Sequence, residues 1–339
     1  MCKELGRGAC SKPPAALSEE TLNVLPIGRS SVGTELLIGI VVVGLLLFSA
    51  THIPVIGFFV SLFIPLLIFF YRLRLGRRIG GIVPVVLGAI MALYLGGASF
   101  ELLFFFELMV MGYVLGEVLE QRLSVEKTVL LTVGIVMVSG GVCLTVYSAF
   151  LGVGTGEMIS DYVDRNLQMT MALYQSIGMS EEMIDAVSES LETIRFFLVH
   201  VLPALAISSV LFMTWMTLVM AKFVAPRFGL AYPDFGRLNL WRAPEFLIWG
   251  VIGSGGILLF ADGRLRMAGV NGLIILMTIY FFVGIAIVSY YLEKKQLPLF
   301  LRICVYSFIA LQQIAFFLVI GIGLFDMWLN FRKLETQKE

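Results

Sequence analysis

Charge is scarce in this chain. Of its 339 residues only 14% are Asp, Glu, Lys or Arg, while 59% are hydrophobic and the mean hydropathy is +0.94. Soluble domains carry about 25% charged and 45–50% apolar residues, so this arithmetic excludes a soluble enzyme and a disordered chain. The 24 basic and 24 acidic residues cancel. Without a basic surplus there is no electrostatic footprint for nucleic acid, and no such partner is expected. Histidine is limited to His52 and His200, with no HExxH and no Cys/His cluster, which speaks against a zinc site. The four cysteines show no CxxC spacing: Cys143 and Cys304 lie in apolar stretches, Cys2 and Cys10 in the leading tail, so they do not form a disulfide framework. Walker A, GxSxG and dinucleotide fingerprints are missing too. No soluble domain could hold ATP, so active transport would draw on an ion gradient or a separate subunit. No cofactor and no catalytic pair of nucleophile and base can be named, which ranks an intramembrane enzyme third.

Long apolar runs dominate instead. About 20 mostly apolar helical residues cross the hydrocarbon core, and nine segments qualify: 36–52, 54–71, 79–97, 99–118, 127–151, 195–221, 245–262, 269–291 and 298–326. The first two are separated only by His52, Ile53 and Pro54 and read as two steep helices or a re-entrant pair. The last is too long, and Arg302 near its start suggests an interfacial lead-in. Residues 1–34 lack an h-region and read as a disordered tail, so the first run is an uncleaved span. The basic residues collect on segments that an inside amino terminus would place inside, leaving Arg165, Arg195, Arg264, Arg266, Arg332, Lys333 and Lys338 outside. The pattern predicts an all-α polytopic transmembrane bundle of about eight or nine spans in a bacterial inner membrane, N-terminus cytoplasmic. It divides into a five-span region (35–151), a hairpin (152–194), about four further spans (195–328) and a polar tail (329–339).

The hairpin is the one sizeable polar interruption. Ile159, Tyr162, Val163, Leu167, Leu173, Tyr174 and Ile177 fall near one helical face and Gly178 ends the run. Ser180 then reads as an N-cap, with Glu181 and Glu182 in the first turn of a helix that continues into the sixth span. The expectation is an amphipathic helical hairpin over the outer mouth of the bundle. Its Glu157, Asp161, Asp164, Glu181, Glu182, Asp185, Glu189 and Glu192 face Arg165 alone. A solvated outer face explains these acids; a divalent-cation site is the sharper alternative, without EF-hand spacing to support it.

Within the spans, an ionised side chain costs about 2.5–3.5 kcal/mol on insertion scales. Glu107 follows three phenylalanines near the middle of the fourth span, with Glu101 toward its outer end and Glu117 toward its inner end. Gly112 and Gly116 on the same helix form a GxxxG that permits close approach of a neighbour. At 100° per residue Glu107 points roughly 140° away from Gly112 and 180° from Gly116. Glu107 reads either as a hydrogen-bonded structural carboxyl or as a carboxylate lining a cavity. His200, one turn before Pro203, reads as an interfacial histidine or a pocket residue; Gln312 and Gln313 read as interhelical glue. Pro65, Pro84 and Pro203 free backbone carbonyls within spans, and Gly250, Gly253, Gly255 and Gly256 suggest close packing. Aromatics and arginines of the loop 232–242 suit a membrane edge or anionic headgroups.

The run His52-Ile53-Pro54-Val55-Ile56-Gly57, then Ile64-Pro65, then an Arg/Gly-rich inner loop (Arg72–Arg78) leading to Gly80-Gly81, resembles the start of the YybS-like family of predicted bacterial membrane proteins. The far end is similar to that family's Gly-x-x-Asp and Phe-Arg ending: Gly321-Ile322-Gly323-Leu324-Phe325-Asp326, followed by Asn330-Phe331-Arg332. The resemblance covers about residues 36–334 and implies a membrane protein of unknown function. More remotely, the first six spans resemble the S components of energy-coupling-factor transporters, six-helix bundles that bind a small molecule. That likeness implies docking of an energising subunit through small residues four apart on the first helix, whereas Gly39 and Gly44 are five apart. These features point to a membrane-embedded small-molecule binding or transport-type component, with Glu107, His200, Glu101, Gln312 and Gln313 as candidate cavity residues. The alternative is a structural scaffold recruiting envelope or cell-division partners. The partners implied are the lipid bilayer, a small-molecule ligand and a membrane protein.

Overall fold

The computed structural model describes residues 32–332 apart from Ala231 and Asp234. The expected tail falls mostly outside the described residues, as do residues 333–339. What is described is helical, with no strand. In chain order the helices are α1 (Val32–His52), α2 (Pro54–Ser61), α3 (Ile64–Gly80), α4 (Ile82–Tyr94), α5 (Phe100–Glu120) and α6 (Val125–Leu151). Then come α7 (Thr155–Ser176), α8 (Glu181–Val224), α9 (Leu247–Phe260), α10 (Gly263–Lys294), α11 (Leu299–Leu311) and α12 (Gln313–Leu329). The protein is an all-α polytopic membrane bundle. Six helices are long and apolar enough to cross a bilayer, or seven if the pair α11–α12, bent by 101°, is one span. At 13 and 14 residues, α4 and α9 reach only about 20 Å.

Proline and glycine set the joints. Pro54 opens α2 and Pro65 lies in the first turn of α3, where a missing N–H costs nothing. Pro84, likewise, is in the first turn of α4, so of the three expected kinks only Pro203 sits inside a helix, α8. Gly178 ends α7 at φ 74°, and α8 then runs unbroken through the hairpin into the membrane. The Arg72–Arg78 stretch is helical rather than a loop; α3 is kinked at Gly76 but continues to Gly80.

Two ends of the bundle can be distinguished by what is bonded there. At one, His52 of α1 meets the Tyr94 hydroxyl of α4 (2.8 Å), Tyr147 of α6 donates to the Ala98 carbonyl (3.1 Å), and Tyr162 of α7 stacks on Phe100 of α5. This is the hairpin end. At the other, Arg74 of α3 pairs with Glu35 of α1, Arg72 with Glu117 and Glu120 of α5, and Trp241 with Glu126 of α6. Of the described basic residues only Arg165, Arg195, Arg264 and Arg266 lie toward the hairpin end.

The interior is continuous through the helices. Val43, Ile64, Ile68, Val83, Leu87 and Met109 join α1, α3, α4 and α5, while Phe69, Leu115, Val129, Trp215, Leu218 and Phe282 carry the core through α6 and α8 to α10. Trp215 stacks on Phe282 (centroids 5.2 Å apart), so the first six spans are not a free-standing unit. Outward side chains such as Phe260, 91% exposed, face where lipid would be.

Small residues let backbones touch, though not always where expected. Gly112 receives the Pro65 backbone, and a Cβ on Gly116 would stand 2.6 Å from Arg72 Cδ. In the α9–α10 pair the tightest residues are Gly269 and Gly272, which face Ser254; of the four glycines expected to pack closely, Gly250 meets Leu276, whereas Gly253, Gly255 and Gly256 have open space around them. In the α10–α12 pair Gly284 meets Val319 and Gly323 meets the Tyr280 carbonyl. Gly323→Leu is therefore expected to lower thermal stability by about 1–3 kcal/mol through overpacking. Gly253→Ala, in open space, should not; thermal unfolding in detergent compares the two.

Candidate functional site

Glu107 sits on the α5 face that meets α6. Its Oε2 accepts from Ser139 Oγ at 3.2 Å, but that hydroxyl also reaches the Val136 carbonyl at 2.9 Å, so its one proton is contested. Oε1 is buried and has no partner among the described residues. Gly140 makes room for the carboxyl group: a Cβ there would lie 3.3 Å from Glu107 Cδ. Gly112 and Gly116 face α3 on the opposite side, so neither face of α5 is given to lipid. A carboxyl group held this loosely at mid-span can exchange a proton or meet a cation or a hydrogen-bonding ligand.

The other expected residues are not gathered around it. His200 Nδ1 bonds the Phe196 carbonyl (2.7 Å) and its ring packs on Phe196, while its own carbonyl accepts from Asn271 Nδ2 at 2.8 Å. Glu101 is exposed in the first turn of α5, behind the N-cap Ser99, where its charge suits the helix dipole. Gln312 and Gln313 are exposed at the α11–α12 bend. Glu107, Glu101, His200 and the two glutamines share no bond or ring contact. Among the described residues no three His, Cys, Asp or Glu side chains come together as metal ligands.

The strongest polar constructions lie at the arginine-rich end. Arg72 is 0% exposed; its Nε and Nη2 donate to Glu117 Oε1 (3.0 and 2.8 Å), and both of its terminal nitrogens reach Glu120. Arg77 adds a pair with Glu117 at 3.1 Å. A second cluster closes the chain. Asp326 Oδ2 accepts from Arg332 Nη2 at 2.7 Å and Oδ1 from the Phe331 N–H at 3.0 Å. Arg332 Nη1 donates to the carbonyls of Asn239 and Trp241, each at 2.9 Å. Asn330 turns the chain at φ 41° and bonds Arg242. Arg332 is buried, its guanidinium bonded to a buried carboxylate and two loop carbonyls.

Beside the first cluster lies a cavity of about 540 Å³ lined by Leu73, Leu119, Glu120, Arg122, Leu123, Tyr232 and Pro233. Tyr232 donates to the Leu218 carbonyl (3.0 Å), and burial raises its pKa, so the phenol stays a donor. Sequence reasoning did not single out these residues as a site. The signals were available: Asp326 and Arg332 stand six residues apart at the end of the last apolar run, and Glu117 and Glu120 are i, i+3 on α5.

A family model for predicted membrane proteins, DUF2232, matches residues 40–327. The chain belongs to that family. The match includes Arg72, Glu107 and Asp326 and stops just before Asn330. No curated protein and no solved structure matches the chain.

Removing one member of a buried ion pair leaves the other charge uncompensated, at a cost of about 3–5 kcal/mol. Asp326→Asn should therefore lower thermal stability by about that much, and Asp326→Leu with Arg332→Met by less. Equal losses in the two would show that the charge pairing is immaterial.

Proposed function

We propose that this protein is a small-molecule binding or transport-type component of the membrane, without an ATPase of its own, in which Glu107 meets the ligand or a coupled proton. The observation that carries this reading is the unpartnered, buried Oε1 of a carboxyl group in the middle of a span. A purely structural glutamate would gain from satisfying both oxygens. The remote likeness to S components supports the same class. Docking through small residues on the first helix is not part of it: Gly39 is filled against Tyr71 and Gly44 faces Leu87, inside the bundle. The alternative, a scaffold for envelope or cell-division partners, draws on glycine-lined helix faces such as that of Gly253 and Gly256, which have open space around them.

The positive-inside bias supports an orientation with the arginine-rich end in the cytoplasm and the acidic hairpin outside as a cover, in a bacterial inner membrane. Because Arg332 bonds Asn239, Trp241 and Asp326 at the arginine-rich end, this orientation puts it on the cytoplasmic side with the amino-terminal end of α1, not outside as nine crossings would have it. Tags before α1 and after Arg332 should both report the cytoplasm and a reporter at the Gly178 turn the exterior. Tags on opposite sides would overturn this orientation.

Thermal stabilisation of the purified protein against vitamins, nucleosides, lipids and ions should reveal one ligand class. Glu107→Gln should abolish that shift while leaving basal stability nearly unchanged. A ligand response that survives Glu107→Gln would remove Glu107 from the site, and a blank panel with partners recovered by crosslinking would count against the binding role and favour the scaffold.

A further inference from the structure

The turn between α5 and α6 holds an arginine where the backbone favours glycine. α5 ends at Glu120, Gln121 caps it, and Arg122 follows at φ 51°, its N–H donating to the Leu119 carbonyl at 3.1 Å. The left-handed residue after a helix is commonly glycine, because a Cβ is costly in that conformation. The Arg122 side chain is exposed and has no hydrogen bond or ion pair among the described residues. Closing the turn therefore gains nothing from arginine that glycine would not supply.

Arg122 forms part of the wall of the cavity of about 540 Å³, a volume within the range of about 300–1,000 Å³ usual for small-molecule sites. The one acid in that wall, Glu120, is already engaged by both terminal nitrogens of Arg72. The Tyr232 hydroxyl proton is committed to the Leu218 carbonyl. What the cavity offers an incoming polar group is thus the guanidinium of Arg122, with its five N–H donors. Leu73, Leu119, Leu123 and Pro233 make the rest of the wall apolar. The turn joins two helices of 21 and 27 residues that are long and apolar enough to cross the bilayer, so the cavity lies at a membrane edge. Lipid phosphates are the anions concentrated in that plane.

We propose that this cavity binds an organic phosphate with a partly apolar body, and that Arg122 takes its phosphate oxygens in a two-pronged pair. The site does not depend on Glu107, which lies about 22 Å back along α5. An anionic phospholipid and a soluble phosphate ester present the same oxygens to it. Once bound, either ties the α5–α6 turn to the loop at Tyr232 and Pro233.

The test uses the full chain purified in a neutral detergent. Without lipid, Arg122→Gly should unfold at the same temperature as the parent or a higher one, since glycine suits φ 51°. If it does not, Arg122→Asn, which also tolerates that conformation, takes its place. Native mass spectrometry should show phosphatidylglycerol retained about tenfold more than phosphatidylcholine of the same chains, a preference that the Arg122 variant loses. Arg78→Gln, at an exposed arginine of the same end outside the cavity wall, should keep it. Thermal stabilisation of the parent by glycerol 3-phosphate, lost in the Arg122 variant and without a lipid preference, would support the site with a soluble phosphate as its ligand. No response to either probe, a response that the Arg122 variant retains, or one that Arg78→Gln removes as fully would overturn the proposal.

Discussion

The ion pair between Asp326 and Arg332, 2.7 Å long and almost wholly out of solvent, decides on which side of the bundle α12 ends. A buried guanidinium gains from acceptors for its donors. The terminal nitrogens of Arg332 find them in the Asp326 carboxylate and the carbonyls of Asn239 and Trp241, all at the arginine-rich end, while its Nε has none among the described residues. Because Trp241 also bonds Glu126 and Asn239 bonds Glu293, the same contact draws the 225–246 loop onto the starts and ends of α6, α10 and α12. Turning back of the α11–α12 pair is the geometric counterpart of that anchorage.

Zero net charge therefore conceals a sorted distribution. Arginines gather with Glu117, Glu120, Glu126 and Asp326 at one end, where several are buried and paired. The acids of α7 and the start of α8 stand at the other end with Arg195 bound to Asp164. Between them Glu107 is the carboxyl group near mid-span. Its isolation from His200 and the glutamines means that any site it forms belongs to the α5–α6 seam.

Much of this was legible in the chain. Length and hydropathy marked the apolar helices, because composition over about 20 residues is a local property, but they overcounted the spans: of the eight or nine expected, six helices, or seven with the bent α11–α12 pair, are long and apolar enough to cross, since α4 and α9 are too short. Gly112 and Gly116 announced a close neighbour, which proved to be α3, and Gly178 and Ser180 bounded the hairpin helices. Legibility failed where the partner was distant in sequence. Arg72 looked like a loop charge, yet Glu117 and Glu120 lie 45 and 48 residues away. Gly253, Gly255 and Gly256 looked like a packing surface, whereas the contact falls on Gly269 and Gly272, one helix later.

By itself the sequence determined that this is a membrane protein made of helices, since hydrocarbon admits little backbone that does not satisfy its own hydrogen bonds. It also determined which residues are costly there. Only the tertiary structure decided how the costs are met: Arg72 and Arg332 are neutralised by carboxylates brought from other helices, Glu107 keeps one oxygen unpaired, and the last apolar run folds back at Gln312. The physical reason is that hydropathy sums over neighbours in the chain, whereas charge pairing and the direction of a broken helix depend on what lies beside it in space.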